Sequence, residues 1–571
     1  MNEAVMIENR KILLALLPFW GPLSPPTGIS CLKGFLRRHG FLVKGVDVSV
    51  EPDLKEFSNR YLNTLKTHVP GDRRGNFYSI ANEVLRNHLM AHLHYQDEDQ
   101  YIELVKILIY KTFYVQVEAA VILELKEIID GVYARLEHYF FALLDRERPD
   151  VLGLTVYSDT LATSMFIFKR TRQKYPHIQT VMGGGVFADQ LAPGSPNLKF
   201  FLQETVNYID KIIIGEGEML FLKWLQQELP EEQRVYTLAD IDGDTMNLAA
   251  ADPLDLSGFD LERYPYLVSY TSRSCPFQCS FCSETVQWGK YRKKSPPQIV
   301  NELKELRDRY GSQLFLLSDS LLNPVIDGIA REMIKSKESI YWEGWLRADK
   351  PVCDIQNTQL WRRGGFYHAR IGAESGSPRI LKSMGKKISP RQIGEALFSL
   401  SQVGIKTSTL WIVGYPGETE EDFQQTLDLI EELKDTIYEA EGTPFWYFLN
   451  GQSNSDEWAG KYRSLLLYPQ EAKELLVTQT WILDCEPARE ETYRRLNRFA
   501  RHLQRLAVPN VYSMRDIYEA DKRWEKLHKN AVPGLVEFKS RGRYINENQQ
   551  VTNLSFARDT LVHQENMDFA F

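Results

Sequence analysis

The chain has 571 residues, with 68 Lys+Arg against 76 Asp+Glu, a formal net charge of −8 and only 6 Cys. At roughly 100–200 residues per domain this length predicts about three or four units, each able to bury its own core. The mildly acidic balance, with no long basic run, argues against nucleic acid or an anionic membrane as the main partner.

No residue from Ile12 to Leu32 is charged, a length that could pass for a membrane span or a signal peptide. Pro18, Pro22, Pro25 and Pro26, with Gly21 and Gly28, cannot lie in one continuous helix, so the stretch reads as a buried strand followed by a loop, and no membrane span is expected. With no targeting segment read, the expected location is cytoplasmic, where grouped cysteines hold metal more often than they form disulfides. Ile29, Leu32, Phe35 and Leu36 repeat at helical spacing up to Gly40, and 41–50 reads as a second strand, completing a βαβ unit. From about 51 to 148, long amphipathic stretches predict a helical insertion. Strands resume at 151–156, 177–182 and 208–214, with a helix at 163–174. They run into Thr155-Val156-Tyr157-Ser158, Gly183-Gly184-Gly185 and Gly215-Glu216-Gly217-Glu218.

From about 261, six β-rich runs alternate with amphipathic helices. The strands are expected at 266–271, 313–318, 340–346, 367–372, 406–413 and 443–449, and helices at 298–310, 326–335, 390–403 and 420–434. Serial β/α repeats predict a parallel barrel or part of one, with its sites at the carboxyl ends of the strands. The expected fold class is α/β. A Rossmann-like domain (1–250) precedes a partial (β/α)6 TIM-type barrel (251–450) and a mostly helical C-terminal appendage (451–571).

The strongest signal is Ser274-Cys275-Pro276-Phe277-Gln278-Cys279-Ser280-Phe281-Cys282, directly after the first barrel strand. Three thiols spaced C-x3-C-x2-C let one loop wrap a cube of iron and sulfide while leaving one iron open. The alternatives are a zinc site or a chance grouping. Zinc wants a fourth Cys or His nearby, and the closest downstream candidates, Cys353 and His368, are far away in sequence. Cys31, Cys353 and Cys485 are isolated and read as small buried hydrophobes.

This triplet, with the aromatic Phe281 before its last cysteine, resembles the signature of the radical S-adenosylmethionine superfamily. The resemblance implies a 4Fe-4S cluster on Cys275, Cys279 and Cys282, and S-adenosylmethionine on the open iron, cleaved to methionine and a 5′-deoxyadenosyl radical. Gly372-Ala373-Glu374-Ser375-Gly376-Ser377 resembles the fourth-strand motif of the cobalamin-associated branch, with Glu374 and Ser375 at the cofactor. Gly414-Tyr415-Pro416-Gly417-Glu418-Thr419 resembles its fifth-strand element, where Gly414 and Gly417 allow close backbone approach to the adenosine. Asp319 and Ser320 end the second strand where the methionine amine is held, although the usual Gly-Gly-Glu is absent. Arg347, ending the third, is a candidate for the methionine carboxylate, with a surface salt bridge as the alternative.

An α/β domain ahead of such a barrel is similar to the cobalamin-binding branch. The resemblance implies that Pro26, Thr27 and Gly28, then Thr155, Tyr157 and Ser158, then Gly183, Gly184 and Gly185, then Gly215, Glu216, Gly217 and Glu218 hold cobalamin at the strand ends. No histidine here has an Asp two residues before it, so no histidine ligand to cobalt is expected. Two such cofactors imply a methyltransferase acting on an unactivated carbon. Its substrate is a natural product, peptide or lipid, and its electron donor a low-potential protein such as flavodoxin or ferredoxin. Trp288, Tyr291, Trp345 and Trp411 are candidates for the substrate pocket, with core packing as the alternative. No catalytic side chain is assigned. Cyclisation or rearrangement without methyl transfer is the runner-up, and a cobalamin or redox sensor is the non-enzymatic reading.

Overall fold

The computed structural model describes residues 10–21, 23–511 and 514–528; what was expected of Pro22 and of 529–571 lies outside these. The chain divides into two compact units. Residues up to Arg263, with Phe281–Trp288 and Trp446–Asp484, form the first; Tyr264–Ser280, Gly289–Phe445 and the residues from Cys485 onward form the second. This division differs from the three consecutive domains expected. The segment 446–484 folds back on the first unit, where the Tyr468 hydroxyl donates to Glu83 at 3.1 Å and Asn197 exchanges hydrogen bonds with the Gln479 backbone at 2.9 Å.

In the first unit, β1 (Lys11–Leu16), β2 (Leu42–Asp47), β3 (Val151–Thr155), β4 (Gln179–Gly183), β5 (Lys211–Ile214) and β6 (Val235–Thr237) form one sheet in the order β2-β1-β3-β4-β5-β6. All neighbouring pairs are parallel. Apolar β1 is buried along all but its first residue, as a strand covered on both faces must be. Ile12, Leu14 and Leu16 meet Val151, Val181, Ile213 and Phe221 in the core. The order reverses between β1 and β3, opening a crevice at the carboxyl edge. The insertion is four helices, Pro52–Thr67, Phe77–His94, Glu98–Phe113 and Ala119–Glu147. Short β6 escapes a sequence reading because three residues are too few to show a period.

In the second unit, β7 (Leu267–Ser269), β8 (Leu314–Leu317), β9 (Tyr341–Leu346), β10 (Phe366–Glu374), β11 (Lys406–Val413) and β12 (Glu439–Pro444) pair in strict succession, all parallel, as a partial (β/α)6 barrel. Ser-Pro pairs start three of its helices. Ser295, Ser377 and Ser389 each accept a hydrogen bond from the third helical amide, and the proline after each occupies the position where a missing N–H costs nothing. The sixth strand lies four residues earlier than expected, because the aromatic run from Phe445 reads as β while the ladder already ends at Pro444. Helices Arg489–Arg505 and Met514–Leu527 follow, whereas Arg463–Leu466 and Trp481–Asp484 form an antiparallel hairpin in the first unit. Among the described residues no helix is long and apolar enough to cross a membrane.

Candidate active site

The cysteine loop is anchored at its base by a carboxylate. Asp319, just past β8, accepts hydrogen bonds from the amide and hydroxyl of Thr271, both at 2.9 Å, and from the amide and hydroxyl of Ser272. Both oxygens are therefore engaged in fixing the chain where it leaves β7. Ser320 follows, partly exposed. Residues 272–273 pair antiparallel with 292–293, and Ser274, at φ 72°, donates to the Gly289 carbonyl at 2.7 Å. Further along, the Ser280 amide donates to the Met384 carbonyl at 3.0 Å, and its hydroxyl pairs with that of Tyr415 at 2.8 Å. Tyr415 and Met384 went unrecognised as loop anchors, since nothing in their spacing announces a contact across more than a hundred residues.

Cys279 is buried, while Cys275, Phe281 and Cys282 are partly exposed, and none of the three cysteines is in a disulfide. Among the described residues no three His, Cys, Asp or Glu side chains are gathered closely enough to hold a metal ion. Arg347 is buried, not a surface residue. Its guanidinium lies 3.9 Å from the Cys279 sulfur and 4.2 Å from the centroid of the Phe277 ring.

Glu374 ends β10 in the left-handed region, at φ 64°, beside a register shift against β11, and its carboxylate pairs with Lys386 at 2.7 Å. A non-glycine residue there carries strain, which persists only where the surroundings enforce it. Ser375 is buried and its hydroxyl accepts from the Ser377 amide at 3.1 Å. Gly414 and Gly417 have φ of 78° and 82°, but their surroundings differ. A Cβ at Gly414 would fall on the Thr492 side chain, so glycine there seats the Arg489–Arg505 helix, whereas Gly417 meets nothing within 4 Å. Glu418, inward-facing, accepts from the Gly414 amide at 2.9 Å and from Arg495 at 3.0 Å.

Along β9 to β12 half-buried residues alternate with buried ones. Tyr341, Trp345, Arg370, Gly372, Leu410, Ile412, Glu439, Glu441 and Thr443 are the half-buried set. That alternation leaves the inner face incompletely packed toward the strand ends. Beneath it runs a polar network absent from the sequence reading. Glu343 accepts from Arg370 at 2.7 Å, from Tyr367 at 2.6 Å and pairs with His368 at 3.0 Å; His368 in turn meets Ser408 at 2.6 Å, and Ser408 donates to Glu439. Burial would raise the Glu343 carboxyl, but Arg370 and His368 hold it well below the usual range. Glu441 has no hydrogen-bond or ion-pair partner among the described residues, and burial beside Glu439 pushes its carboxyl up. Trp345 belongs to this inner face. Trp411 does not: one pleat out of phase, it is buried in the barrel wall with its indole N–H on Thr409 at 2.9 Å. Tyr291 is in the second unit, with its hydroxyl buried, and Trp288 ends a short, partly exposed helix in the first.

In the first unit all four expected loops follow carboxyl ends of parallel strands. Pro26 caps helix Thr27–Arg38 after β1, and Gly28 in its first turn meets nothing within 4 Å. Thr155, Tyr157 and Ser158 follow β3, Gly183–Gly185 follow β4, and Gly215–Glu218 follow β5. Gly184, at φ 115°, would place a Cβ 2.5 Å from the Val156 backbone, and Gly185 would place one 2.8 Å from the Tyr157 ring. Those two glycines serve the protein's own packing, while Gly217 is open like Gly28. The carboxylates of Glu216 and Glu218 are buried. Glu216 accepts from the Met246 amide at 2.9 Å and Glu218 from the Cys31 thiol at 3.1 Å, so these loops present backbone rather than carboxylate. The insertion braces the β3 loop, because Arg86 of helix Phe77–His94 bonds Asp159 at 3.2 Å.

A parallel partial barrel with three cysteines on the loop after its first strand defines a class, and the comparisons agree with it. Residues 269–430 match the model of the Radical SAM superfamily, and the chain therefore carries a radical S-adenosylmethionine domain. It is 27% identical over 334 residues to an uncharacterized methyltransferase of Pyrococcus horikoshii, covering 54% of this chain and 70% of that protein. It is 26% identical over 309 residues to the anaerobic magnesium-protoporphyrin IX monomethyl ester cyclase of Rubrivivax gelatinosus, covering 49% of this chain and 53% of that one, about half the relative's length. Among solved structures, the radical S-adenosylmethionine methyltransferase TsrM from Kitasatospora setae, with cobalamin and a 4Fe-4S cluster bound, shares the fold. The TM-score is 0.55 at 15% identity, over 94% of this chain and 100% of that one.

Proposed function

We propose that this protein is a cobalamin-dependent radical S-adenosylmethionine methyltransferase acting on an unactivated carbon of a natural-product, peptide or lipid substrate. One observation carries the reading: a single chain joins a thiol-bearing barrel loop to a doubly wound sheet whose carboxyl edge is lined by open glycine backbone. The donor set fits an iron–sulfur cluster better than zinc, since three thiols are spaced C-x3-C-x2-C within one loop and that loop holds no fourth Cys or His. Cys275, Cys279 and Cys282 would hold the cluster. Glu374, Ser375, Gly417 and Arg347 would contact S-adenosylmethionine, and the edge around Gly28, Tyr157 and Gly217 would hold cobalamin. Bound there, these groups supply an electron for reductive cleavage of S-adenosylmethionine and a methyl group carried on cobalt.

The chain's own contribution is placement. Asp319 and Tyr415 fix the cysteine loop, Lys386 holds the Glu374 carboxylate, and Arg86 steadies the loop bearing Tyr157. Orientation of this kind supplies several kcal/mol of a barrier. A flavodoxin or ferredoxin is the electron source in this reading.

The cyclase relative supports a second reading, in which the substrate is cyclised or rearranged without methylation. The test supplies S-adenosylmethionine with a deuterated methyl group, a low-potential reductant, cobalamin and a host extract as substrate source. Methyl transfer gives a product heavier by one labelled methyl, with 5′-deoxyadenosine and S-adenosylhomocysteine in similar amounts. Deoxyadenosine with an unlabelled, converted product and no S-adenosylhomocysteine would reject methylation in favour of the second reading.

A further inference from the structure

At the carboxyl edge of the first sheet an aromatic pair stands where the strand order reverses. Trp20 follows β1 and Tyr157 follows β3, and their rings are stacked with centroids 4.1 Å apart and planes inclined by 23°. Tyr157 covers one face of the indole, yet Trp20 remains 40% exposed, and no other ring pairs with it among the described residues. The pair is also built rather than incidental. Gly185 lacks the Cβ that would strike the Tyr157 ring, the Tyr157 amide donates to the Thr160 hydroxyl at 3.0 Å, and the Thr163 hydroxyl donates to the Pro18 carbonyl two residues before Trp20. Both rings therefore sit on anchored backbone, with open glycines at Gly28 and Gly217 in the neighbouring loops.

We propose that Trp20 and Tyr157 form a stacking platform for a flat conjugated ring, and that the ring belongs to cobalamin. The inference rests on the cobalamin reading above and adds to it a residue, Trp20, and a mode of contact. Two parts of that ligand carry the required chemistry: the corrin and the benzimidazole of the nucleotide tail. A preorganised aromatic surface binds either with little loss of side-chain freedom.

The experiment titrates hydroxocobalamin, and separately cobinamide, which lacks the tail, into the full-length wild type, Trp20→Ala and Trp20→Phe, following tryptophan emission. Trp20→Ala is expected to weaken cobalamin about tenfold, the size of a lost aromatic stack, and Trp20→Phe to recover most of it. Parallel weakening of cobinamide assigns the platform to the corrin; cobinamide binding left unchanged assigns it to the tail. Trp20→Leu, which keeps apolar bulk without a ring, takes the place of the alanine variant if that protein melts early. Unchanged affinity for both ligands in the ring-deleted variants overturns the platform and leaves the cobalamin reading standing. A wild type that binds neither ligand overturns the cobalamin reading and the platform with it.

Discussion

Arg347 places a permanent positive charge beside a cysteine sulfur and stacks on the ring two residues before it. A cation at that distance favours the more negative state of whatever the thiols hold. In the reconstituted protein Arg347→Met is expected to make the cluster harder to reduce, moving its midpoint negative by on the order of 60 mV, the one-electron equivalent of a tenfold change. Electron paramagnetic resonance during a redox titration reads this directly, and an unmoved midpoint would remove Arg347 from the tuning of the cluster. Glu418 offers a second test through its titration. Burial pushes its carboxyl from an ordinary 4.5 up to about 7, against the Gly414 amide and Arg495. The folded protein then keeps a proton that the unfolded chain releases, so this contribution to stability is greatest below about pH 4.5 and declines as the pH rises toward about 7. Glu418→Gln keeps an oxygen for the Gly414 amide while removing the titration. Urea midpoints at about pH 5 and about pH 8 should therefore differ less in the variant than in the wild type.

At the scale of loops and strands, glycines of similar appearance do different work. Gly184→Ala would push a methyl into the Val156 backbone and hold a strained φ, costing about 2 kcal/mol of stability whether or not a ligand is present. Gly217→Leu faces open space, so its melting temperature should match the wild type while cobalamin affinity falls about tenfold from crowding. Thermal melts and binding isotherms on both variants separate the roles, and equal losses of stability would contradict the distinction. The sequence announces that these loops bear glycine, but the neighbour each one meets is a matter of tertiary packing. The same boundary runs through the barrel. The Ser-Pro helix starts and the cysteine spacing are local patterns and can be read from the chain, whereas Glu343, His368, Ser408 and Glu439 lie on four strands and become a network only when those strands align. Glu439 and Glu441 also mask their strand, because Glu, Ala, Gly and Pro, which make up most of it, are all depleted in strands.

For the molecule as a whole, the order of the chain matters as much as its fold. The path changes unit five times, and the first unit is closed by a segment ending at Asp484. That segment supplies Tyr468 to Glu83 and Gln479 to Asn197, partners nearly three hundred or more positions apart. No period or motif marks such pairs, which is why the expected boundaries followed the sequence in succession. A protein cut after residue 263 should therefore be poorly soluble and protease-sensitive, and co-expression of 446–484 alone should not restore it, because 281–288 is still missing. A soluble fragment 10–263 with a cooperative melt would overturn this.

The interleaving also has a history in time. On a ribosome adding about 5–20 residues each second, the first sheet emerges roughly ten to forty seconds before the residues that complete its unit. During that interval the nascent chain holds buried acceptors such as Glu83 without their eventual partners, and exposes surface that a chaperone can recognise. Evolution cannot then exchange the two units by a single crossover, since any one cut leaves at least one of them incomplete. Recombination within this architecture is confined to whole genes or to loops, which makes the strand-end loops the natural place for new specificity to arise.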